Sequence, residues 1–591
     1  MFSAITSKLW EMHYDTKKLL LFFPVAVLSH FNKSFFCSFY LNSSDEGEDN
    51  PTQKGNRDIN SRNDNSFSDN DQKGKKSEGG NKNNNGSFTN YNRRQMLGLL
   101  LGPAFFVIML IIPAPDKMSI EAQRMAGVAG LMATWWICES IPIPITSLIP
   151  LVLMPILGIL GAKQVAVPYA GDVIFLYMGG FIIGLSMQRW NLHKRIAMNT
   201  IRLIGFSPSR IIFGFMVATA AISAFVSNSA TAVMMMPIGL AVITLVIERG
   251  EMEGLDKHID FSPENFHFGL NLMLGIAYSA SVGGIATLIG TPPNAILAGF
   301  LLETFDYQIS FAKWLLVGVP LVLFMIPVIW VSLIKMNPFA IKKIPGGKEI
   351  INSELKKMGS MCKGEKWTAL VFTITALCWI FRKPISVILP DPSMITDGTV
   401  AMTGALLLFL IPISLKNNLF VMDWKWALKL PWGVLILFGG GLSLAAGIKS
   451  TGLATWIGSR VQLMEHTPPI ILIIAVVTLI IFLTEMTSNT ATTAMMMPIL
   501  SAVALGIGQS PLLLVIPAAI VASCAFMLPV ATPPNAIVYG SGYVTIPQMA
   551  RNGFILNIIG IVSAVILTYL FVMPVFDITI NQVPAWVNIT G

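Results

Sequence analysis

The stretch Asn228-Ser-Ala-Thr-Ala-Val-Met-Met-Met-Pro-Ile238 occurs twice in this chain. Its second copy, Asn489-Thr-Ala-Thr-Thr-Ala-Met-Met-Met-Pro-Ile499, is identical to the first at eight of eleven positions. A serine precedes each copy, which gives the triplets Ser227-Asn228-Ser229 and Ser488-Asn489-Thr490. A second motif follows each triplet: Thr291-Pro-Pro-Asn-Ala-Ile296 in the first half and Thr532-Pro-Pro-Asn-Ala-Ile537 in the second. Two motifs that recur in the same order indicate an internal duplication.

Both motifs interrupt strongly apolar sequence, such as residues 470–484 before the second triplet. An uninterrupted helix is the default inside a bilayer, because backbone polar groups there must find partners within the protein. Proline lacks a donor, and Ser and Asn offer competing local hydrogen bonds, so both motifs predict breaks in helices. Matching breaks in two halves are typical of a transporter's binding site, where helix ends supply carbonyl oxygens for a cation and amides for an anion. The alternative is that these polar residues only join helices by hydrogen bonds.

The composition excludes a soluble enzyme. Of the 591 residues, 53% are hydrophobic and only 12% are charged, as expected for a polytopic membrane protein. The five cysteines show neither a disulfide framework nor zinc-ligand spacing: Cys37, Cys138, Cys362, Cys378 and Cys524. Much of the basic charge behind the net +8 lies in flanks and loops, where the positive-inside rule accounts for it. No nucleic-acid partner is therefore expected.

Residues 1–95 form an N-terminal extension of a different kind. Residues 42–92 are rich in Asn, Ser, Gly, Asp and Lys and contain almost no apolar side chains. Such a segment cannot bury enough surface to offset the entropy of ordering, so we expect it to be disordered and assign it no chemistry. Arg93 and Arg94 precede the first long apolar run and favour a cytoplasmic N-terminus.

Residues 96–335 form the predicted first repeat together with a leading helix. The spanning candidates are residues 97–114, 122–140, 144–161, 172–188 and 315–335. Residues 189–210 mix basic with apolar side chains and predict an amphipathic helix in the cytoplasmic interface, or otherwise a basic loop. A re-entrant hairpin is expected at 208–247, with the triplet at its tip, and a broken helix at 268–303.

The second repeat, 367–577, follows the same plan after a cytoplasmic linker at 336–366 that carries seven lysines against three acidic residues. Its spans lie near 367–382, 397–414, 432–448 and 554–576, with an interfacial segment at 449–466, a hairpin at 468–504 and a broken helix at 512–545. Residues 578–591 form an extracytoplasmic tail. Phe175-Leu-Tyr-Met-Gly-Gly180 also corresponds to Leu435-Ile-Leu-Phe-Gly-Gly440, each before a predicted hairpin.

The predicted fold is an all-α polytopic membrane protein with about 11 transmembrane helices and two re-entrant hairpins. An odd number of spans per repeat turns the second repeat upside down relative to the first. An N-terminus and a linker inside, with the C-terminus outside, agree with the distribution of Lys and Arg. Such an inverted repeat allows one central site to open alternately to either side of the membrane.

At these motifs the chain resembles the divalent anion/sodium symporter family, which includes sodium-coupled di- and tricarboxylate carriers. The resemblance covers about residues 95–577 and rests on the two triplets, Gly290-Thr291-Pro292-Pro293 and Ala531-Thr532-Pro533-Pro534. It implies two inverted repeats, each with a re-entrant hairpin and a broken helix, in a homodimer with a scaffold domain and a moving transport domain. Ser229 stands where the family commonly has Thr, which keeps the hydroxyl and bears only on fine selectivity.

The resemblance also implies the binding residues. It places one sodium ion against Ser223, Ser227, Asn228 and Gly290, and a second against Thr484, Thr487, Asn489 and Ala531. It assigns the substrate carboxylates to Ser227, Asn228, Ser229, Ser488, Asn489 and Thr490, together with Thr291, Pro292, Thr532 and Pro533. Such oxygen atoms suit a hard cation. Neither motif contains Lys or Arg, so bound cations and helix N-termini would offset the charge of a dianion.

These observations favour sodium-coupled symport of C4-dicarboxylates (succinate, fumarate or malate) by alternating access in the plasma (inner) membrane. A carrier of citrate, sulfate or another oxyanion remains an alternative, because the motifs indicate the cation-binding residues more clearly than they indicate the anion. An ion channel is disfavoured because no filter sequence repeats. An enzyme is disfavoured because His-Glu-x-x-His and Gly-x-Ser-x-Gly motifs are missing from the sequence. No cofactor other than the coupling sodium ions is expected.

Three acidic residues in or beside apolar segments are further candidates, because ionisable groups there are often functional. They are Glu485, Glu139 and Asp172. Glu485 lies three residues before Ser488 and is the strongest of them. Structural capping or packing of the hairpin is nevertheless the favoured explanation for its presence.

Overall fold

The computed structural model describes residues 91–252, 260–339, 341, 347–388, 390–391, 394–461 and 467–587. It divides the chain into two units, Met1–Arg94 and Gln95–Gly591, and the second unit carries both repeated motifs. Up to residue 90 the predicted N-terminal extension lies outside the described residues. The same is true of residues 588–591 of the predicted tail.

Proline residues shape the first part of the membrane unit. After α1 (Arg93–Ile111) and α2 (Ile120–Cys138), the predicted span at 144–161 is divided into two short helices, α3 (Ile143–Thr146) and α4 (Ile149–Ile156). Pro142 precedes α3 and Pro150 lies at the start of α4, where a missing amide costs least. Next come α5 (Ala162–Ala166), a 3₁₀ turn (Val167–Ala170) and α6 (Asp172–Arg189).

The first triplet separates two helices. The amphipathic helix α7 (Leu192–Ile204) follows α6 after Asn191, which has a left-handed φ of 57°. Pro208 begins α8 (Pro208–Ser223), and α9 (Asn228–Met252) starts at the triplet itself. The predicted hairpin at 208–247 therefore corresponds to a helix, a break at residues 224–227 and a second helix.

The first Thr-Pro-Pro-Asn motif also lies at a break. Helix α10 (His267–Gly283) runs into a 3₁₀ turn (Gly284–Ala286), and α11 (Pro292–Phe305) begins after Thr291, which adopts an extended conformation at the N-cap. Pro292 at the first helical position loses no backbone hydrogen bond there. Helix α12 (Phe311–Met336) ends the first repeat.

The linker and the first part of the second repeat differ from an all-α expectation at one point. Helices α13 (Gly347–Met358), α14 (Lys363–Ile380), α15 (Arg382–Val387) and α16 (Asp397–Leu410) are followed by antiparallel strands β1 (Pro412–Ser414) and β2 (Leu419–Phe420). Asn418 has a φ of 49°, which lets the chain turn sharply between these strands. Strand β1 occupies the end of the predicted span at 397–414, β2 lies beyond it, and α17 (Trp424–Ala427) comes next.

The second repeat breaks at the corresponding positions. Helices α18 (Trp432–Ser450) and α19 (Leu453–Val461) precede α20 (Pro469–Thr484) and α21 (Asn489–Gly506), which again starts at the triplet. Then α22 (Leu512–Ala522) and α23 (Pro533–Tyr539) flank the second Thr-Pro-Pro-Asn motif. Helix α24 (Ile546–Leu567) continues through a π turn (Thr568–Val572) into α25 (Met573–Phe576).

Seven helical segments of the described chain are long and apolar enough to cross a membrane. They are Arg93–Ile111, Ala162–Arg189, Asn228–Met252, His267–Ala286, Phe311–Met336, Trp432–Ser450 and Ile546–Phe576. Five shorter apolar helices include α8, α16, α20 and α22. The chain is thus a mostly helical, multi-pass membrane protein.

The basic segment after α6 is held by acidic partners rather than left in solution. On α7, Lys194 lies 3.1 Å from Glu354 of α13, and Arg195 lies 2.8 Å from Glu365 of α14. The hydrogen bond from Arg195 to Glu365 raises the pKa of the guanidinium. These two ion pairs join the predicted interfacial helix to the predicted linker. The lysines of the linker could not form them, because they carry the same charge as Lys194 and Arg195.

Two helix pairs cross between the repeats and bring all four motifs into one region. Helix α11, which follows the first break, packs along α21 of the second repeat. Helix α23, which follows the second break, packs along α9 of the first repeat. Within each repeat, α8 packs on α10 and α20 packs on α22. The helices that start at the two triplets and at the two proline motifs are therefore packed against one another across the repeats.

Candidate ion and substrate site

The break between α8 and α9 gathers oxygen atoms. The Ser223 hydroxyl at the end of α8 lies 2.8 Å from Oδ1 of Asn228 and 2.6 Å from the carbonyl oxygen of Ala280 on α10. Ser223 and Asn228 lie on either side of the break, and the Ala280 carbonyl lies in the last turn of α10, where it also accepts from the Gly284 amide. A hydroxyl oxygen, an amide oxygen and a carbonyl oxygen are therefore close enough together for one cation to contact all three.

The second repeat contains the same arrangement. The Thr484 hydroxyl at the end of α20 lies 2.6 Å from Oδ1 of Asn489 and 3.0 Å from the carbonyl oxygen of Ala522 on α22. In both repeats the hydroxyl residue stands five positions before the asparagine of the triplet. We call these two groups the Ser223 cluster (Ser223, Asn228 and the Ala280 carbonyl) and the Thr484 cluster (Thr484, Asn489 and the Ala522 carbonyl).

Glycines make room beside the Ser223 cluster. A Cβ atom at Gly284 would lie 2.5 Å from Asn228 Oδ1, and one at Gly290 would lie 2.4 Å from the Gly284 carbonyl oxygen and 2.9 Å from that of Ala224. Neither position accepts a side chain without displacing these oxygens. Thr287 donates a hydrogen bond from its hydroxyl to the Ala224 carbonyl. The missing side chain of Gly284 thus leaves a small space bordered by Asn228 Oδ1 and the Gly290 carbonyl oxygen.

The asparagine of each proline motif fixes the loop of its own break. The amide of Asn294 donates to the carbonyl of Thr287 at 2.8 Å and lies 3.4 Å from that of Gly284. The amide of Asn535 donates to the carbonyls of Ala525 and Leu528, both at 3.1 Å. Both asparagines are fully buried, and within the described residues their NH₂ groups are paired with these carbonyls while their Oδ1 atoms have no hydrogen-bond partner. Their role is to hold the broken backbone in shape.

The two breaks face each other at Thr291. Its hydroxyl lies 3.3 Å from the hydroxyl of Ser523, which ends α22 in the other repeat. Its carbonyl accepts a hydrogen bond of 3.1 Å from the Tyr177 hydroxyl on α6. Thr532, the counterpart of Thr291, instead caps its own helix by accepting from the Asn535 amide at 3.3 Å.

Glu485 ties three elements together beside the Thr484 cluster. Its carboxylate accepts hydrogen bonds from the backbone amides of Phe526, Met527 and Leu528 at 2.7, 2.9 and 3.2 Å. Asn557 of α24 donates to the same carboxylate at 2.8 Å. The side chain is 3% exposed, and these four donors account for a buried charge there. The contacts are those of structural capping, the explanation favoured from sequence.

The other two acidic candidates lie away from the clusters. Glu139 ends α2 in a left-handed conformation, with a φ of 51°. Asp172 begins α6, and its carboxylate accepts a hydrogen bond of 2.5 Å from Thr396, next to the start of α16. Asp172 therefore joins the ends of two helices that pack along each other.

Most of the site residues predicted from sequence come together, but they differ in their contacts. Ser227 accepts from the Ala230 amide at 3.4 Å and so caps α9. Thr487 shares a 2.5 Å hydrogen bond with Thr492, and its hydroxyl also points to the Leu483 carbonyl at 2.8 Å. Thr487 is therefore engaged with residues of α20 and α21 rather than with the Thr484 cluster. Partly exposed side chains remain at both tips: Ser227, Asn228, Ser229, Ser488, Asn489 and Thr490.

Five residues with a part in this region were missed as site residues by sequence reasoning: Tyr177, Ser523, Asn557 and, as loop-holding groups, Asn294 and Asn535 of the two proline motifs. Tyr177 lies in the repeated Phe175-to-Gly180 stretch, which was a usable signal. Ser523 and Asn557 belong to no repeated motif, and only the fold brings them to the site.

A multi-pass helical protein with duplicated, oxygen-rich helix breaks has the fold and site of a secondary transporter. The family model described as the sodium:sulfate symporter transmembrane region matches residues 93–578, and the chain belongs to this family. The chain is 44% identical over 496 residues to a sodium-dependent dicarboxylate transporter, SdcS, of Staphylococcus saprophyticus, covering 83% of this chain and 94% of that relative. The SdcS protein of Staphylococcus aureus strain USA300 is also 44% identical, over 492 residues and with 93% of its length covered.

A solved structure has a similar fold at low sequence identity. The MtrF protein of Neisseria gonorrhoeae, described as illuminating a class of antimetabolite efflux pumps, superposes with a TM-score of 0.51 at 12% identity. The match covers 83% of this chain and 96% of MtrF. At this identity the similarity concerns the fold alone.

Proposed function

We propose that this chain is a sodium-coupled symporter of C4-dicarboxylates such as succinate, fumarate and malate, working by alternating access. The observation that carries the proposal is the recurrence of one oxygen cluster in both repeats, Ser223 with Asn228 and Thr484 with Asn489. Relatives with 44% identity are named sodium-dependent dicarboxylate transporters. The proposal extends that activity to this chain.

Each cluster would hold one sodium ion. The first ion takes oxygens from Ser223, Ser227 and Asn228 and from the backbone at Gly290. The second takes them from Thr484 and Asn489 and from the backbone at Ala531, with Thr487 as a hairpin residue behind it. Hydroxyl, amide and carbonyl oxygens are the ligands that hard cations prefer. The close approach of backbone oxygens around Gly284 and Gly290 supports a small ion.

The anion would bind between the two triplets and the two proline motifs. Helices α9 and α21 begin at Asn228 and Asn489, so their unpaired amides and positive ends point toward the same region. The triplets and proline motifs contain no Lys or Arg to offset two carboxylates. The two sodium ions therefore supply much of the compensating charge, which makes anion binding depend on sodium.

In the membrane we infer about 11 spans, with the pairs α8–α9 and α20–α21 as re-entrant hairpins in an inverted repeat. The linker at 336–366 and the N-terminus would lie in the cytoplasm, and the tail at 578–591 outside. The chain would work in the plasma membrane as a homodimer with a scaffold and a moving transport domain, as the family resemblance implies.

The two cross-repeat helix pairs differ in the exposure of their side chains, and this difference supports a state in which the proposed site is open to one side of the membrane. The cross-repeat pair α11–α21 is almost wholly buried, whereas its counterpart α23–α9 has exposed side chains such as Val233 and Pro533. At equivalent positions before the proline motifs, Ile289 is 3% exposed and Val530 is 52% exposed. Because the hairpin of α9 would enter from the cytoplasm, we assign this structure to an inward-facing state.

The test is uptake of labelled succinate, citrate and sulfate by the purified protein in proteoliposomes, with a sodium, potassium or proton gradient. We expect a sodium gradient to drive succinate uptake, and a potassium or proton gradient not to drive it. In this assay Asn228→Ala and Asn489→Ala should each abolish most sodium-dependent uptake while the protein remains folded in the membrane. Succinate uptake that ignores sodium, or normal sodium activation in either variant, would contradict the proposed site.

A second function within the same class is a sodium-coupled carrier of sulfate or another oxyanion. The description of the matching family model names sodium and sulfate, and this observation favours the alternative. Because both substrates would use the same cation clusters, the uptake assay separates them by the anion that is accumulated.

A further inference from the structure

Tyr177 makes a contact that has no chemical equivalent in the other repeat. Its side chain is fully buried, and its hydroxyl donates a 3.1 Å hydrogen bond to the carbonyl of Thr291, the N-cap residue of α11. The backbone amide of Ala295, in the first turn of α11, also faces this hydroxyl. Tyr177 thus holds the helix that follows the first break, immediately beside the proposed anion site.

The ring of Tyr177 lies where three helices meet. It makes edge-to-face contacts with Phe181 on α6, at 5.6 Å between ring centroids, and with Phe438 on α18, at 5.1 Å. Three residues along α6, a Cβ at Gly180 would lie 3.2 Å from the Ile289 side chain in the first break. The hydroxyl is therefore fixed by packing and has little freedom to find another partner.

The duplicated sequence gives the counterpart of every residue in this contact. Phe175-Leu-Tyr-Met-Gly-Gly180 on α6 corresponds to Leu435-Ile-Leu-Phe-Gly-Gly440 on α18, so Leu437 stands in the place of Tyr177. Thr532 stands in the place of Thr291. In an inverted repeat the two halves exchange their conformations when the site opens to the other side. The opposite state would then bring Leu437 to the Thr532 carbonyl, and leucine has no hydroxyl to donate.

We propose that Tyr177 is a positioning residue whose hydroxyl favours the state in which α11 is packed and α23 is exposed. The bond to Thr291 exists in that state, and the opposite state lacks an equivalent bond. A net hydrogen bond of ordinary strength changes a two-state ratio by between about two- and about tenfold. The inference rests on the alternating-access part of the proposed function, and it requires no particular anion.

Two single-cysteine reporters measure the ratio of the states. Val530→Cys is accessible in the present structure, and Ile289→Cys at the equivalent position is buried. Each is introduced separately into the full chain, which is purified in detergent without sodium or anion so that reagent reaches both faces. The rate of N-ethylmaleimide labelling at the reporter position is followed by tandem mass spectrometry, which separates it from labelling of the five native cysteines.

Tyr177→Phe should raise the labelling rate of the Ile289→Cys reporter by between about two- and about tenfold, because that reporter detects the minor state. Tyr278→Phe is the matched control. It also removes a fully buried phenol hydroxyl, but within the described residues that hydroxyl has no hydrogen-bond partner. Its labelling should equal that of the unmodified background. No rise with Tyr177→Phe, or an equal rise with Tyr278→Phe, would overturn the proposal.

Leu437→Tyr separates a shift of states from loosening around Ile289. It places a hydroxyl at the equivalent position in the other repeat and should favour the opposite state. Faster labelling of the Ile289→Cys reporter together with slower labelling of the Val530→Cys reporter would support the proposal. If Tyr177→Phe speeds labelling at Ile289→Cys while folded Leu437→Tyr changes neither reporter, the effect is local and the proposal is wrong. Failed sodium-driven uptake would leave these labelling results intact, so the two failures are distinguishable.

Discussion

The Thr484 hydroxyl lies 2.6 Å from the side-chain oxygen of Asn489, across the break between α20 and α21. Ser223 and Asn228 have the same relationship at 2.8 Å in the first repeat. A hydroxyl so close to an amide oxygen donates its proton to that oxygen while keeping its own lone pairs directed elsewhere. The arrangement presents two oxygens from side chains five residues apart, and it recurs because the duplication copied both residues.

Replacement of Thr484 separates the role of its hydroxyl from that of its shape. Thr484→Val should raise the sodium concentration needed for half-maximal succinate uptake by roughly tenfold, because it removes one oxygen and leaves Asn489 without its donor. Thr484→Ser keeps the hydroxyl and should stay within about threefold of the unmodified protein. Sodium titrations of uptake in proteoliposomes check both values. Equal effects of the two substitutions would show that packing, rather than the hydroxyl, matters here.

Glu485→Gln should destabilise the folded protein. The substitution exchanges a carboxylate for an amide whose NH₂ group would face the backbone amides of Phe526, Met527 and Leu528. Hydrogen bonds to a charged group contribute about 1.5–3 kcal/mol, so the loss should appear as a lower melting temperature in detergent. Glu264→Gln, at an exposed position, serves as the control. An unchanged melting temperature for Glu485→Gln would contradict the capping role assigned to this residue.

The proposed topology predicts opposite labelling of two exposed positions. A cysteine introduced by Ser353→Cys in α13 should react with an impermeant maleimide only from the cytoplasmic side. One introduced by Gln582→Cys, beyond α25, should react only from outside. Right-side-out and inverted membrane vesicles supply the two orientations. Labelling of both positions from the same side would remove the inverted repeat from the proposal.

Sodium-dependent charge compensation predicts which ionic form of succinate is carried. The dianion should be preferred, because two cations and helix ends are available to offset two negative charges. Uptake at fixed sodium should therefore rise between about pH 5 and about pH 8 in step with the fraction of dianion, because the second carboxyl of one molecule loses its proton at a higher pH than an isolated carboxyl. Half-maximal succinate concentration should also fall as sodium rises. Uptake that tracks the monoanion, or that follows a proton gradient without sodium, would disprove this charge balance.

Sequence reasoning located the breaks because their cause is local. Proline at the start of α11 and α23 and Ser-Asn at the start of α9 and α21 remove or redirect backbone hydrogen bonds wherever the chain goes. The same reasoning missed the division of the span at 144–161, although Pro150 and Pro155 lie inside it. The prediction of one span there gave the length of the apolar run more weight than the prolines that interrupt it.

The contacts that join distant segments could not be read from one sequence. Ser523 reaches Thr291 only because α11 packs beside α22, and Asn557 reaches Glu485 only because α24 lies against α20. Nothing in the residues around Ser523 or Asn557 distinguishes them from other polar groups in apolar helices. Hydroxyl and amide side chains of this kind become informative once the helix neighbours are known.

The crossed packing of α11 on α21 and of α23 on α9 has a thermodynamic consequence. Each oxygen cluster is built within one repeat, but the helix that follows each proline motif packs on the helix that follows the triplet of the other repeat. If the proposed sodium ions bind at the clusters, an ion that orders one cluster would also order part of the surface on which the other cluster depends. Because linkage is reciprocal, any increase in affinity that one ion gives the other would be returned equally. The proposed site therefore predicts cooperativity between the cations that comes from the crossing itself and would persist if the anion were absent.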